Sequence, residues 1–516
     1  MGALCPDPRP GEGRRTFAYG VTGLPISGGR PGPEEGSMVE ADGRVVGTPS
    51  SPPAPTGLHR PLALLVAGAF FMEILDGTVI APAAPHIAAD LGVAAVDVNV
   101  AITGYLLTLA VLIPISGWLS DRFGARRIFA AALVVFTLAS AGCALAPSLP
   151  VLTATRVLQG VGGAMMVPVG RLAVLRTTDK RDLVRAIAFL TWPALVAPVV
   201  APALGGLLAN YASWRWIFVV NLPLGLVALV LALRIVPDVR APRRDPLDWR
   251  GFVLTAAGAA ALVVGLESIG GGRWGSAVAA LVLAAVLLTA AVVYLLRTRR
   301  PLVDLRVLAL ATYRLTAAGG SVYRMVITAI PFLLPLLFQL GFGWSAAQAG
   351  LVVIALFVGN VGIKPATTPL MRRFGIRAVV LFSIAASAAC LVGMAFLTAA
   401  TPLPVLLLLL LASGVVRSTG FSAYNSVAFA DVEQERMTGA NTLMSTLQEL
   451  GAGLGVAVGA LFVRLGDPVG HLVGLSDAPA TPYRIAFLLL VVVLVVPAIE
   501  TLRLSRTAGD VVTGRS

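Results

Sequence analysis

The chain has 516 residues, of which 57% are hydrophobic and only 13% charged, and it carries a formal net charge of +13. A soluble protein of this length needs far more polar surface, so the composition excludes a soluble fold and points to a chain solvated by lipid. The basic excess does not argue for nucleic-acid binding, because no clustered basic face with interleaved aromatics accompanies it.

Residues 1–58 contain GEGRRTFAYG, SGGRPGPEEG and TPSSPPAPTG, rich in Gly, Pro and Ser and without apolar periodicity. Such a stretch cannot bury a core and is expected to be a disordered cytoplasmic extension. It is not a signal peptide, since no apolar stretch follows its early charges. Translation could start at Met1 or at Met38. From residue 61 onward, apolar stretches of about 20 residues recur, the length that spans a bilayer core. Fourteen are expected, near 61–83, 98–117, 128–147, 150–172, 185–208, 216–236, 251–270, 275–297, 313–339, 347–366, 378–398, 403–425, 438–463 and 483–503. The fold class is therefore an all-α integral membrane protein.

Basic residues fall in alternate loops. Arg122, Arg126 and Arg127 follow span 2, and Arg176, Lys180, Arg181 and Arg185 follow span 4. Further groups follow span 6 (Arg240, Arg243, Arg244, Arg250), span 8 (Arg297, Arg299, Arg300, Arg306) and span 10 (Arg372, Arg373, Arg377). The loops between are short and nearly free of Lys and Arg; 146–150 and 341–348, for example, carry none. The positive-inside rule then places the basic loops and both termini in the cytoplasm.

The chain also repeats. GWLSDRFGARRI (117–128) and TPLMRRFGIRAV (368–379) share Leu-x-x-Arg-Phe-Gly-x-Arg at a separation of 251 residues. The first follows span 2 and the second span 10, so spans 9–14 read as a second copy of spans 1–6. Arg156 in span 4 and Arg417 in the matching span 12 extend the echo. Two six-helix halves with a midplane site between them is a transporter architecture. The expected organisation is an N-terminal half over 59–236, an inserted helix pair with flanking loops over 237–312, a C-terminal half over 313–503 and a cytoplasmic tail over 504–516.

These residues carry a family resemblance. GWLSDRFGARR resembles the loop motif of the major facilitator superfamily, with Gly117, Asp121, Arg122, Gly124 and Arg126 at its fixed positions. LDGTVIAPAAPHI (75–87) is similar to the first-helix motif of that superfamily's 14-span drug:proton antiporters of the EmrB/QacA type. ATRVLQGVGGAMMVP (154–168) resembles their fourth-helix motif and WRWIFVVNLPLG (214–225) their sixth-helix motif; RPLVDLRVL (300–308) and LGAGLGVAVG (450–459) also look familial. The span 5 antiporter motif departs from the pattern. Its two leading glycines are replaced by Ala197 and Ala201, while Pro202, Gly205 and Gly206 remain. The resemblance implies proton-coupled efflux of amphipathic compounds or drugs by alternating access, with small molecules, protons and the bilayer as partners.

Charges inside spans call for a partner or a job, because each costs about 2.5–3.5 kcal/mol on insertion scales. Glu73 and Asp76 lie three residues apart, on one face of span 1. Asp76 lies where the family places its first-helix Asp. It either takes and releases the coupling proton from a cavity or ties span 1 to a neighbour. Glu73 either shares that proton or sits neutral inside the bundle. Arg156 either tunes a carboxylate or holds a fixed ion pair between spans 1 and 4. Gln159, three residues on, falls on the same face, and Gly160, Gly162 and Gly163 read as packing glycines.

Asp121, Arg122 and Arg126 suit a charge latch to a neighbouring helix terminus, or a topology signal alone. Arg372 replaces the Asp in the second copy, so that half is expected to lack the same latch. Arg324, Arg417 and Glu449 complete the candidates for a substrate cavity, Arg324 as an anion binder or as the partner of Glu449. Lys364 near the end of span 10 is expected to snorkel and Glu267 to sit at the outer interface. Phe70, Phe71, Met72, Tyr105, Trp192 and Phe338 are candidates for an apolar pocket wall.

No enzymatic motif is present. The sequence has no phosphate-binding Gly-x-x-x-x-Gly-Lys-Ser/Thr loop and no nucleophile elbow. Its three histidines and three cysteines have no metal-ligand spacing, so neither cofactor nor metal is expected. An exporter of one endogenous metabolite or antibiotic, a proton symporter and a non-transporting sensor are the alternatives to drug efflux.

Overall fold

Gly124 and Gly375, the shared glycines of the two repeat copies, both adopt positive φ, 94° and 81°, at the turn between two helices. A side chain at either position would be strained, which is why the copies keep Gly. A computed structural model describes residues 60–178, 183–237, 246–270, 273–298, 301–429, 431–433, 436–472 and 478–505. The expected N-terminal extension and most of the expected tail, with much of the basic loops near 180 and 240, lie outside the described residues.

In the first half, α1 (Arg60–Leu91) leads through a 3₁₀ turn to α2 (Asn99–Phe123), followed by α3 (Ala125–Ala144), α4 (Leu149–Thr177) and α5 (Leu183–Tyr211). A short α6 (Trp216–Val219) then runs into α7 (Asn221–Ile235). Next come α8 (Trp249–Gly270) and α9 (Trp274–Arg297), which pack on each other. Along α9, the buried residues are Ala277, Ala284, Ala291 and Leu295, mostly one stripe at seven-residue spacing, while Val278, Val282 and Val286 are exposed. An apolar helix with one narrow buried stripe is suited to lipid on its other faces.

The second half begins with α10 (Ala311–Leu315), which continues through a π turn into α11 (Ser321–Leu336). It proceeds through α12 (Ala346–Gly362), α13 (Lys364–Phe374), α14 (Ile376–Ala395), α15 (Leu403–Ala428) and α16 (Met437–Leu472), and ends with α17 (Thr481–Val493) and α18 (Val495–Leu502).

Among the described residues, 12 helices are long and apolar enough to cross a membrane, or 13 if the pair α12 and α13 is one span. The expected count of fourteen is therefore approximate. Helices α12 and α13 meet at a 51° bend. The break falls at Ile363, just before Lys364-Pro365, where a proline restricts the preceding residue and removes a helical donor. Helix α5, which holds three internal prolines, contributes the shorter apolar stretch Val196–Tyr211.

The two repeat copies also share an arginine latch. Arg126 Nε donates to the Val236 carbonyl at 2.7 Å, the C-cap of α7. Arg377 Nη2 donates to the Leu502 carbonyl at 2.9 Å, the last residue of α18. Each half thus anchors the end of its own last helix, with a cation at the negative pole of the helix dipole. This contact uses the arginine both copies share, not the Asp121 that the second copy loses.

On the side away from the basic turns the halves touch closely. The Arg464 guanidinium of α16 pairs with Asp97 of the turn after α1, and Gln339 Nε2 donates to the Pro82 carbonyl at 2.9 Å. Helix α5 supplies Gly205, whose missing Cβ leaves room for the Val79 carbonyl of α1. Gly206 does the same for Ala346 at the start of α12, and Gly350 of α12 for the Pro202 carbonyl. Small residues at such crossings let helix backbones meet. Gly206→Val should therefore lower stability by about 1–3 kcal/mol, the usual range for overpacking. Thermal unfolding in detergent checks this, and an unchanged midpoint would refute the close α5–α12 contact.

Candidate transport cavity

Between the halves lies a cavity of about 980 Å³, within the usual range for small-molecule sites. Its walls come from α1, α2, α4 and α5 of the first half and from α11, α12, α13, α15 and α16 of the second. A smaller hollow of about 410 Å³ shares Arg171, Asn441, Ser445 and Gln448 with it. That hollow sits where α15 ends and α16 begins, so the cavity continues towards the ends that carry the basic turns.

Glu73, Arg324, Arg417 and Glu449 all line the cavity. Glu73 projects from α1 and Glu449 from α16, one carboxylate from each half, and both are half-buried. Neither forms an ion pair among the described residues. The pairing of Arg324 with Glu449, one of the two sequence readings, is not made. The Arg324 guanidinium instead lies over the Phe421 ring, 4.7 Å from its centroid, and that of Arg417 lies 5.6 Å from the Phe357 centroid.

Asp76, Arg156 and Gln159 are placed elsewhere. None lines the cavity, and all three are at most 1% exposed. Arg156 Nη1 is bonded to Asp76 Oδ2 and donates to Gln159 Oε1 at 2.7 Å. Asp76 Oδ1 accepts from Gln159 Nε2 at 2.9 Å and from Asn221 Nδ2 at 2.7 Å, and Gln159 also donates to Ser140 Oγ at 2.7 Å. This network joins α1, α3, α4 and α7 inside the first half. Tyr105 stands between it and the cavity: its ring faces the Arg156 guanidinium at 4.1 Å and it also lines the cavity. Gln159 as a substrate-cavity residue is therefore corrected. Its amide is saturated by Asp76, Arg156 and Ser140 and cannot reach the cavity.

The sequence motifs, the fold and the cavity converge with comparison to known proteins. A family profile described as Major Facilitator Superfamily matches residues 66–327 and 316–508. The chain belongs to the major facilitator superfamily. It is a multi-pass membrane transporter of small molecules and not an enzyme.

Similar relatives include "Putative multidrug resistance protein MdtD" of Escherichia coli O7:K1 (strain IAI39), 39% identical over 410 residues, covering 78% of this chain and 85% of the relative. The protein of the same name from Escherichia fergusonii is 37% identical over 443 residues, covering 84% and 92%. Similar solved structures include an auto-inhibited POT family peptide transporter, with TM-score 0.64, 16% identity and coverage of 86% of this chain and 97% of that one. A bacterial homologue of the human lysosomal transporter Spinster, inward-facing and unoccupied, has TM-score 0.62, 18% identity and coverage of 87% and 97%.

Within this transporter the remaining candidates separate. Gly117 and Pro202 line the cavity, while Gly205 and Gly206 are crossing points. Asp121 is half-buried at the end of α2, Gly124 makes the turn and Arg122 lies over Trp118 at 5.8 Å. Gly160 and Gly162 are packing glycines, against the Tyr105 and Ala132 carbonyls, whereas Gly163 reaches the cavity. Of the aromatic candidates Phe70 and Tyr105 line the cavity. Phe338 does not: it is buried against Trp344, ring centroids 5.1 Å apart. Met72 is buried in the first half and Phe71 packs on the core. The side chains of Trp192 and Glu267 lie outside the described residues.

Lys364 does not snorkel. It lines the cavity and donates to Ser422 Oγ at 2.9 Å. Sequence reasoning missed Ser140 and Asn221, partners of the buried network, and Arg171 at the cavity mouth. Each is a polar residue inside or closing an apolar span, and that was the available signal.

Proposed function

We propose that this transporter exports small amphipathic compounds across the cytoplasmic membrane in exchange for protons, by alternating access. The observation that carries the reading is the pair Glu73 and Glu449, two half-buried carboxylates without ion-pair partners, one from each half, on a shared cavity. Intramembrane acids facing a wettable cavity are the usual proton carriers, since their proton affinity changes as the cavity opens and closes. The names of the MdtD relatives support drug efflux.

The halves meet at Asp97–Arg464 and Gln339–Pro82 on one side, while the cavity continues to the basic-turn side. With the basic turns cytoplasmic by the positive-inside rule, this arrangement is inward-facing. Rocking of one half against the other would open the Asp97–Arg464 contact and expose the carboxylates to the outside. The buried Asp76–Arg156 pair holds the first half rigid during that motion, so we assign proton carriage to Glu73 and Glu449. No step calls for ATP or nucleic acid.

The test is proton movement in proteoliposomes containing a trapped pH-sensitive dye. Amphipathic compounds of both charges are presented in turn, with the membrane potential clamped. The expected result is proton flux opposite to the flux of at least one compound. Compound flux without proton flux would rule out coupling, and flux of both in the same direction would make the protein a symporter.

A further inference from the structure

The charges on the cavity wall are unequal. Four cations, Arg171, Arg324, Lys364 and Arg417, face two carboxylates, Glu73 and Glu449. Three of the cations belong to the second half, on α11, α13 and α15. Arg324 is within electrostatic reach of both Lys364 and Arg417, so three like charges share a mostly apolar chamber in which Glu449 is the one carboxylate within reach of Arg324.

None of the four forms an ion pair among the described residues. Arg417 is only 8% exposed, yet its Nη1 has no hydrogen-bond partner, and Arg324 Nε has none either. Lys364 has three protons to donate and gives one to Ser422. Phe421 and Phe357 hold the two guanidinium groups through their ring faces, which leaves N–H donors free. Arg156 also leaves Nε and Nη2 without partners, so the contrast with it lies in the counter-charge. Where a buried arginine is structural, this chain supplies Asp76 against it.

We propose that the cavity binds amphipathic organic anions, with Arg324, Lys364 and Arg417 as the site for the anionic group. This rests on the export reading above and adds the class of substrate. Buried cations without direct ion-pair partners are costly, and an incoming anion supplies both a contacting counter-charge and the missing acceptors. A guanidinium fork matches carboxylate, sulfonate or phosphate oxygens. The apolar body of the ligand would rest on Ile74, Phe332, Val353 and Val456, which line the same cavity. An inside-negative membrane potential also drives an anion outward.

Equilibrium binding to the full chain in nanodiscs of zwitterionic lipid tests this. Two probes share one aromatic body: naphthalene-2-sulfonate, permanently anionic, and 2-naphthyltrimethylammonium, permanently cationic. The sulfonate should bind at least about tenfold more tightly, and Arg417→Gln and Arg324→Gln should each weaken it about tenfold, the loss of one charge-assisted hydrogen bond. Lys364→Gln, at a half-buried position, is expected to fold normally and to act in the same direction. Equal or tighter binding of the ammonium probe, no binding of either probe, or sulfonate binding unchanged in folded Gln variants would each overturn the assignment. Proton-driven movement of the ammonium probe without sulfonate binding would leave the export reading standing alone. Sulfonate binding without movement of any compound would do the reverse.

Discussion

Replacing Arg156 by glutamine is expected to destabilise the protein by about 3–5 kcal/mol, the range found when one member of a buried ion pair is removed. Asp76 would then be an uncompensated charge, 1% exposed, among apolar helices. Gln159 and Asn221 still donate to its carboxylate, at 2.9 Å and 2.7 Å, which places the loss at the lower end of that range. Asp76→Asn leaves the guanidinium unpaired instead, with Nε and Nη2 already without partners, and should cost a similar amount. The double variant removes both charges and should lose less than the two single losses combined. A double-mutant cycle of thermal stability in detergent measures the coupling. Additive losses would mean that the two groups do not interact, and the buried network would have to be abandoned.

The fold was largely legible because its signals are long or sterically strict. An apolar run of bilayer length has few other uses, and a turn that needs positive φ keeps its glycine, so Gly124 and Gly375 mark both copies of the repeat. The site was legible only in part. Glu73 and Asp76 share a face in the coarse sense, but three helical residues differ by about 60° in direction. Helix α1 sits where the cavity meets the bundle interior, and that angle sends Glu73 to one and Asp76 to the other. Periodicity does not say which element covers a face. Ser140 and Asn221 carry no charge, so nothing in a single sequence separates them from polar residues that bond their own helix. Lys364 looked terminal because Pro365 marks a break in the helix but not which neighbour the bent end faces, and the structure places Lys364 on the cavity.

Coupling through Glu73 and Glu449 makes a quantitative expectation. A proton moving down one pH unit releases about 1.4 kcal/mol, enough for about a tenfold concentration ratio of the exchanged compound. If both carboxylates carry a proton in each cycle, the wild type should approach about a hundredfold ratio at one pH unit. Glu449→Gln or Glu73→Gln, each fixed in a neutral form, should then reach only about tenfold, and the double variant should equilibrate without accumulating. Asp76→Asn, where it remains folded, should keep the wild-type ratio. The measurement is steady-state accumulation in proteoliposomes at a clamped potential, and the side on which compound accumulates reports antiport or symport. The opposite pattern, in which Asp76→Asn loses accumulation while both glutamine variants keep it, would transfer the coupling role to the buried pair. The Asp76–Arg156 bond would then have to open during the transport cycle. Because Tyr105 separates that pair from the cavity, its ring would have to swing aside for a proton to pass.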